Sequence, residues 1–313
     1  MKNNTIVTAG DANYLWGLFL LIASMRRGGM DEPVLVGTKK FDARCERVLK
    51  QLGDVSFYSL ENASHNLTCH KAEVMLRAQT EYVTWADADA LFSGNTSELL
   101  PPPDHGHIHV RRRSIPEMPG AFPDKYSLAE ILPQWRKDIQ ALVGKDTQIP
   151  ECPEPDFQHF QSVSACFLSV ARDQEQFLDT WHKMMMNLPS QDTGVVNNSL
   201  RCYHQLDESC LNATLLYLPN APIVTDIYRM DKEPQRLFAH FCGRVKPWRG
   251  WIPSSLRHYD ATLAVMDWAL QEKLELPSEV PPSLQGGALR KRLAFATAAP
   301  RDFCLKVRRK LGF

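Results

Sequence analysis

The sequence predicts an α/β protein built on a mainly parallel sheet, and three observations predict it. From Thr5 to Phe92 short apolar runs alternate with helical patterns, the signature of strands joined by helical crossovers. Val34-Leu35-Val36 is apolar at consecutive positions, as in a strand covered on both faces. Two of the runs end in Gly10-Asp11 and Asp87-Ala88-Asp89, at the carboxyl ends of strands where such sheets collect ligands.

The elements follow in order. A first strand, Thr5 to Ala9, breaks at Gly10-Asp11 and leads into a helix from about Asn13 to Arg27. That helix is apolar nearly all round, so it belongs in the interior, and Gly28-Gly29 stops it. Pro33 to Gly37 reads as a second strand. Phe41, Cys45, Val48, Leu49 and Leu52 then mark one stripe of an amphipathic helix. Val55 to Leu60 is a third strand, His70 to Gln79 a helix, and Tyr82 to Ala86 a fourth strand. From Leu100 to Pro155 the character changes, with 10 of the 21 prolines. A regular continuation of the sheet is not expected there; an excursion that covers the site or shapes a second-substrate pocket is. Within it His105, His107 and His109 share one face of an extended segment before Arg111-Arg112-Arg113. They form either a metal cluster or a solvated edge strand facing anions. Ser162 to Val170 is a buried strand followed by a helix through Trp181, whose Met184-Met185-Met186 run is core or interface packing. His204 to Leu216 is helical in its second half, with Asp207-Glu208 near its start.

Composition excludes several classes. The 313 residues are 44% hydrophobic and 23% charged, as in ordinary globular proteins. Thirty-six basic and 36 acidic residues cancel, so whole-chain charge does not point to nucleic acid. The balance is uneven: from Leu284 onward Arg290, Lys291, Arg292, Arg301, Lys306, Arg308, Arg309 and Lys310 face one acid, Asp302. The tail is therefore +7 and everything before it −7. The longest apolar run, Leu15 to Met25, falls short of the roughly 20 residues of a membrane span and lacks the flanks of a signal peptide. Eight scattered cysteines, with no Cys-x-x-Cys pair, indicate neither a zinc site nor a disulfide framework. Sequons at Asn66 and Asn212 are accidental without a secretory signal. A cytoplasmic protein is expected.

The chemistry centres on Asp87 and Asp89. Two carboxylates about 5 to 7 Å apart in an extended segment repel unless a cation lies between them. Hard oxygen ligands of this kind suit Mg²⁺ or Mn²⁺ holding a diphosphate. Alone, Asp-x-Asp is a common surface turn. The segment from Ala239 to Trp248 adds a His, a Gly and a Lys at three-residue intervals, able to supply a metal ligand, close backbone approach and a phosphate-pairing cation. Acids such as Asp207 and Glu208 at a helix start are also, commonly, only dipole partners.

Together these segments resemble the retaining GT-A glycosyltransferases that include glycogenin and the bacterial lipopolysaccharide galactosyl- and glucosyltransferases. Ala9-Gly10-Asp11-Ala12-Asn13-Tyr14 resembles that family's Ala-x-Asp-x-Asn-Tyr. Asp87-Ala88-Asp89 matches its Asp-x-Asp, and His240 to Trp248 matches His-Phe-x-Gly-x-x-Lys-Pro-Trp without a gap. The resemblance runs from Thr5 to about Trp248 and leaves the proline-rich middle and the tail uncovered. Residues 261–313 read as a helical, basic, membrane-associating extension, while the resemblance implies a GT-A fold with a mixed, mainly parallel sheet over residues 1–260. It implies Mn²⁺ (or Mg²⁺) on Asp87, Asp89 and His240. A UDP-sugar would lie along Thr8, Ala9, Asp11, Asn13, Tyr14, Lys71, Asp87, Ala88, Ser164, Gly243 and Lys246. Asp207 and Glu208 would be the catalytic pair. Glu208 replaces the family's usual glutamine, and a carboxylate there could stabilise or attack an oxocarbenium ion. Ser162 to Cys166 departs from the family's Phe-Asn-x-Gly, which opens the donor's identity. The implied activity is hexosyl transfer with retention to a glycan or lipid-linked oligosaccharide, in lipopolysaccharide, capsule or related surface-glycan assembly. The tail, with Leu293, Phe295, Phe303, Leu305, Val307, Leu311 and Phe313 among its basic residues, reads as a segment lying on an anionic bilayer, and otherwise as a solvated basic helix. The protein would thus be a peripheral one on the inner face of the membrane. Two rivals are a haloacid-dehalogenase-like phosphohydrolase, which leaves the His240 motif unexplained, and a GT-A-like binding protein that has lost catalysis.

Overall fold

The computed structural model describes residues 3–113, 122, 127–156, 162–189, 200–226, 238–241, 243 and 245–310. Four strands open the chain: β1 (Asn4–Asp11), β2 (Val34–Lys39), β3 (Val55–Ser59) and β4 (Tyr82–Ala86). The helices between them are α1 (Leu15–Arg27), α2 (Ala43–Lys50) and the short α3 (Lys71–Met75). Beyond β4 come β5 (Ala90–Phe92), β6 (His107–Arg112), α4 (Leu128–Val143), β7 (Val163–Ala171), α5 (Glu175–Met186) and α6 (Leu206–Tyr217). The chain continues through β8 (Ile223–Asp226), β9 (Phe238–His240), α7 (Pro253–Leu256), α8 (Tyr259–Gln271) and α9 (Ala288–Lys310).

Seven strands form one mixed sheet in the order β3-β2-β1-β4-β7-β6-β8. Pairings among β3, β2, β1 and β4 and between β6 and β8 are parallel; β7 runs antiparallel to both β4 and β6. With a separate β5-β9 pair, this is the GT-A-like, mainly parallel α/β architecture. The period of two in a strand sends neighbours to opposite faces. Ile6 and Ala86 accordingly join one core with α1 and α8, while Val7 and Val83 join another with α3 to α6. Helix α1 is buried from Leu15 through Met25, as its unbroken apolar sequence requires, and among the described residues no helix is long and apolar enough to cross a membrane.

Several boundaries differ from the sequence expectation. Strand β1 does not break at Gly10 but continues to Asp11, because β2 pairs with it as far as Lys39. The helix expected over 70–79 is only Lys71–Met75, since Arg77 and Ala78 close tighter turns on Val74 and Met75. The proline-rich stretch carries regular structure after all. Strand β6 lies inside the main sheet, hydrogen-bonded to β7 on one side and β8 on the other, so it is no edge strand. The imidazoles in and just before it go separate ways: His105 to Asp173 (2.7 Å) and Glu81 (3.2 Å), His107 to Asp104 (2.7 Å) and His109 to the Leu100 carbonyl (3.1 Å). Among the described residues no metal-ligand group forms there. Met184 and Met185 are buried in the second core, as expected for packing. Leu311 and Phe313 lie outside the described residues.

Candidate functional site

The turn Asp87-Ala88-Asp89 sits where the chain leaves β4 for β5. Strand β5 abandons the main sheet to pair antiparallel with β9, with Ala90 opposite His240. That switch carries a histidine from far along the chain to the two aspartates. His240 Nε2 lies 3.3 Å from Asp89 Oδ1 and 3.6 Å from Asp87 Oδ2. One ligand atom from each residue lies within 4.8 Å of the other two. Two lysines neutralise the acids. Lys246 donates to Asp89 Oδ2 and to the Phe241 carbonyl. Lys71 donates to Asp87 Oδ1 (2.7 Å), Asp207 Oδ2 (2.8 Å) and the Ala165 carbonyl (2.9 Å). Trp85 Nε1 also donates to Asp87 Oδ1 (2.8 Å), fixing its rotamer.

The electrostatics follow from burial and pairing. Burial alone pushes the Asp89 carboxyl up, but His240 and Lys246 outweigh it and hold the group well below its ordinary range. Burial disfavours the Lys71 cation, yet Asp207 and Asp87 together raise it above the usual lysine range. One ammonium is shared between two carboxylates, the half-buried Asp87 and the buried Asp207. Asp207 is the one left short: burial pushes it up to about 6 despite Lys71, with Asp87 and Glu208 adding to the rise. Glu208, one residue on in α6, faces Arg113 instead. Its two oxygens accept from Arg113 Nε and a terminal guanidinium nitrogen, both at 2.7 Å, and the same guanidinium reaches Gln205 (3.2 Å). Asn212 anchors this helix by pairing its amide with both backbone groups of Val163 (2.8 and 2.9 Å), so the sequon there is buried.

Asp11 caps the turn after β1: one oxygen accepts from the Asn13 and Tyr14 amides, the other from the Asn13 side chain. This presents Tyr14 edge-on to Trp248, ring centroids 5.8 Å apart, with the Arg249 guanidinium over the tyrosine. Burial raises the Tyr14 phenol, and Lys246, Asp89 and Asp87 all act on it, which places the ring beside the carboxylates. Gly243 has φ +98°, a conformation that favours glycine, and is exposed. Thr8 is buried within β1, three residues before its end, with an unpartnered hydroxyl. Ser164 lies in β7 beside Ala165, whose carbonyl holds Lys71. The structure therefore joins Asp87, Asp89, His240, Lys246, Lys71 and Asp207 in one network, with Tyr14 at its edge and Glu208 in a separate pair.

Three contributors escaped the sequence reading. Trp85 and Arg113 lie in stretches whose apolar or basic character masked their individual bonds. Gly17 had a signal, a glycine inside an otherwise apolar helix. A Cβ there would stand 2.4 Å from the Ala88 carbonyl and 2.6 Å from the Trp248 ring. Its absence lets α1 pass directly behind the Asp-x-Asp turn.

No protein-family model matches the chain, and no curated protein sequence matches it. Solved structures do. The chain is similar to the bifunctional glycosyltransferase WbbM at 12% identity, TM-score 0.52, over 86% of this chain and 51% of that one. It is similar to the glycosyltransferase GlyE of Streptococcus pneumoniae TIGR4 at 13% identity, TM-score 0.51, over 89% of this chain and 66% of that one. The chain thus spans between half and two thirds of the length of these structures. At such identity the likeness establishes the fold.

Proposed function

We propose that the protein is a metal-dependent glycosyltransferase that moves a hexose from a UDP-sugar to a glycan or lipid-linked glycan with retention, in surface-glycan assembly such as that of lipopolysaccharide or capsule. The observation that carries this reading is the convergence of Asp87, Asp89 and His240 within 4.8 Å, flanked by two buried lysines. The donor set fits Mn²⁺ or Mg²⁺: two hard carboxylates and one imidazole, gathered on one side, with lysines supplying charge that the acids need in any state. Bound there, the ion would supply charge neutralisation to a departing diphosphate.

The chain's own residues do the rest. Lys246 and the exposed Gly243 backbone bind the diphosphate, the lysine as a cation and the glycine through close approach. Tyr14, held by the Asp11 cap and Trp248, gives the uracil a stacking wall, with Asn13 and the second half of β1 (Thr8, Ala9) beside it; Ala88 and Ser164 border the ribose and sugar. Asp207, pinned by Lys71, orients the sugar hydroxyls. Glu208 keeps negative charge near the sugar but has both oxygens in the Arg113 fork, so it acts as an electrostatic support and not as a nucleophile. The acceptor hydroxyl then attacks from the leaving-group face, and a phosphate oxygen of the donor takes its proton.

The tail belongs to the same reading. Along α9, Leu289, Leu293, Ala296, Pro300, Phe303 and Val307 recur at i, i+4, i+7, i+11, i+14 and i+18, one helical face. Leu289 and Phe303 are 71% and 67% exposed. The opposite side is docked: Ala298 is buried, Phe295 meets Tyr259 and Lys291 pairs with Asp260. An exposed apolar stripe edged by Arg290, Arg292 and Lys306 suits an anionic bilayer on the inner face of the membrane.

The Glu208–Arg113 lock also favours a second reading, a GT-A-like protein that binds a nucleotide sugar without turning it over. A panel of UDP-sugars with Mn²⁺ tests both. Metal-dependent thermal stabilisation together with slow UDP release is expected for one donor. Stabilisation without UDP release establishes the binding protein, and no stabilisation by any donor removes both readings.

A further inference from the structure

A groove of about 350 Å³ opens between α9 and the segments around Trp251 and Pro282. Three arginines line it, Arg249, Arg290 and Arg301, with Trp251, Tyr259 and Leu293 among the walls. Among the described residues none of these guanidiniums pairs with a carboxylate. Their bonds go to carbonyls: Arg249 to Asn13 and Arg290 to Pro282, each at 3.4 Å, and Arg301 to Trp251 at 3.3 Å. Other tail cations are spent on acids, Lys291 on Asp260 and Lys306 on Asp302, both at 2.7 Å. The groove thus gathers three guanidiniums with no carboxylate partner among the described residues, whereas Lys291 and Lys306 are paired. Arg301 is also seated. A Cβ on Gly250, whose φ is +139°, would stand 2.3 Å from the Arg301 guanidinium, so the glycine makes room for it.

Leu293 ties the groove to the exposed stripe, since it lines the one and belongs to the other. An apolar face at acyl-chain depth beside an arginine pocket at headgroup depth is the arrangement a phospholipid would fill. We propose that this groove is a binding site for the phosphate headgroup of a membrane lipid, engaged when the stripe of α9 lies in the bilayer. Guanidiniums grip phosphate through paired N–H donors, and a phosphomonoester offers them more free oxygens than a phosphodiester. The site therefore prefers a terminal phosphate. Trp248, another wall of the groove, also packs against Tyr14, so an occupied groove would set the donor pocket one indole away from the membrane surface.

The inference rests on the membrane reading of α9, and the experiment separates the two. The 313-residue protein is sedimented with phosphatidylcholine vesicles carrying equal fractions of either phosphatidate or phosphatidylglycerol. The wild type is expected to prefer phosphatidate. Arg290→Gln with Arg301→Gln removes two sets of paired N–H donors and should lower that preference by about fivefold or more. A control pair of equal charge, Arg292→Gln with Lys306→Gln, should weaken both vesicles alike and keep the preference. Arg290→Gln alone, at an exposed position, guards against misfolding of the double variant and should show part of the loss. If both double variants keep or lose the preference equally, the groove site is overturned while the tail reading stands. If the wild type sediments with neither vesicle, the tail reading falls and the groove site with it.

Discussion

At the residue scale, the question the proposed function raises is what Glu208 does in its pairing with Arg113. A carboxylate at position 208 invites the idea of a nucleophile, and sequence alone left that open. Under the proposed function the fork with Arg113 argues against it, because a carboxylate holding two charge-assisted bonds at 2.7 Å must break both before it can attack. Glu208→Gln keeps an oxygen for the guanidinium and removes the charge. Slow UDP release from the cognate donor should then survive within about tenfold, whereas loss of a true nucleophile costs on the order of 10⁶-fold. A loss near that larger figure in single-turnover measurements would restore Glu208 as the attacking group. Arg113→Met is the harsher change, since it strands a carboxylate that is 7% exposed; breaking a buried pair from one side costs about 3–5 kcal/mol of stability.

Elements bring these residues together, and here the sequence was partly legible. Strands β1 to β4 and helices α1 and α2 announce themselves because local period and burial coincide: Val34-Leu35-Val36 is apolar on both faces and is buried on both. The three metal-ligand candidates were equally legible as motifs. What stayed hidden is non-local. Strand β6 looked like part of an irregular excursion because prolines crowd its flanks, yet β7 and β8 supply its hydrogen bonds from distant parts of the chain. The Arg113–Glu208 pair depends on that same strand placement, so nothing within either segment could announce it. Gly17 is the middle case, visible as an oddity but explicable only once α1 is seen against Ala88 and Trp248. Gly17→Ala forces a methyl into a backbone carbonyl, so α1 or the Asp-x-Asp turn must shift. Overpacking of this kind costs about 1–3 kcal/mol, and Mn²⁺ affinity read by calorimetry should fall with it. Gly286→Ala, where nothing lies within 4 Å of the added carbon, should change neither. Equal effects from the two would mean that the close pass of α1 does not set the metal site.

Over the whole molecule, charge is divided: a tail of +7 faces a body of −7, and the body concentrates part of its negative charge in its interior. Within that interior Asp207 makes a contribution to stability whose pH dependence is opposite in sign to that of the paired Asp89. Asp207 has its folded carboxyl pushed up to about 6 by burial, against an ordinary value of 3.8. As pH falls through 6 the folded protein takes up a proton that the unfolded chain does not bind until near 3.8. Stability from this group therefore rises on acidification across that window and is lost again as pH climbs through 6. Two units correspond to about 3 kcal/mol as a ceiling, reduced by whatever Lys71 returns as it rebalances between Asp87 and Asp207. The measurement is urea denaturation of metal-free protein between pH 4 and pH 7, wild type against Asp207→Asn. The stability difference, wild type minus variant, should grow as pH falls, because the amide cannot take up the proton. Charge elsewhere cancels in that difference, including the pairs of the tail, so a flat line would mean that Lys71 satisfies Asp207 as fully as it does Asp87.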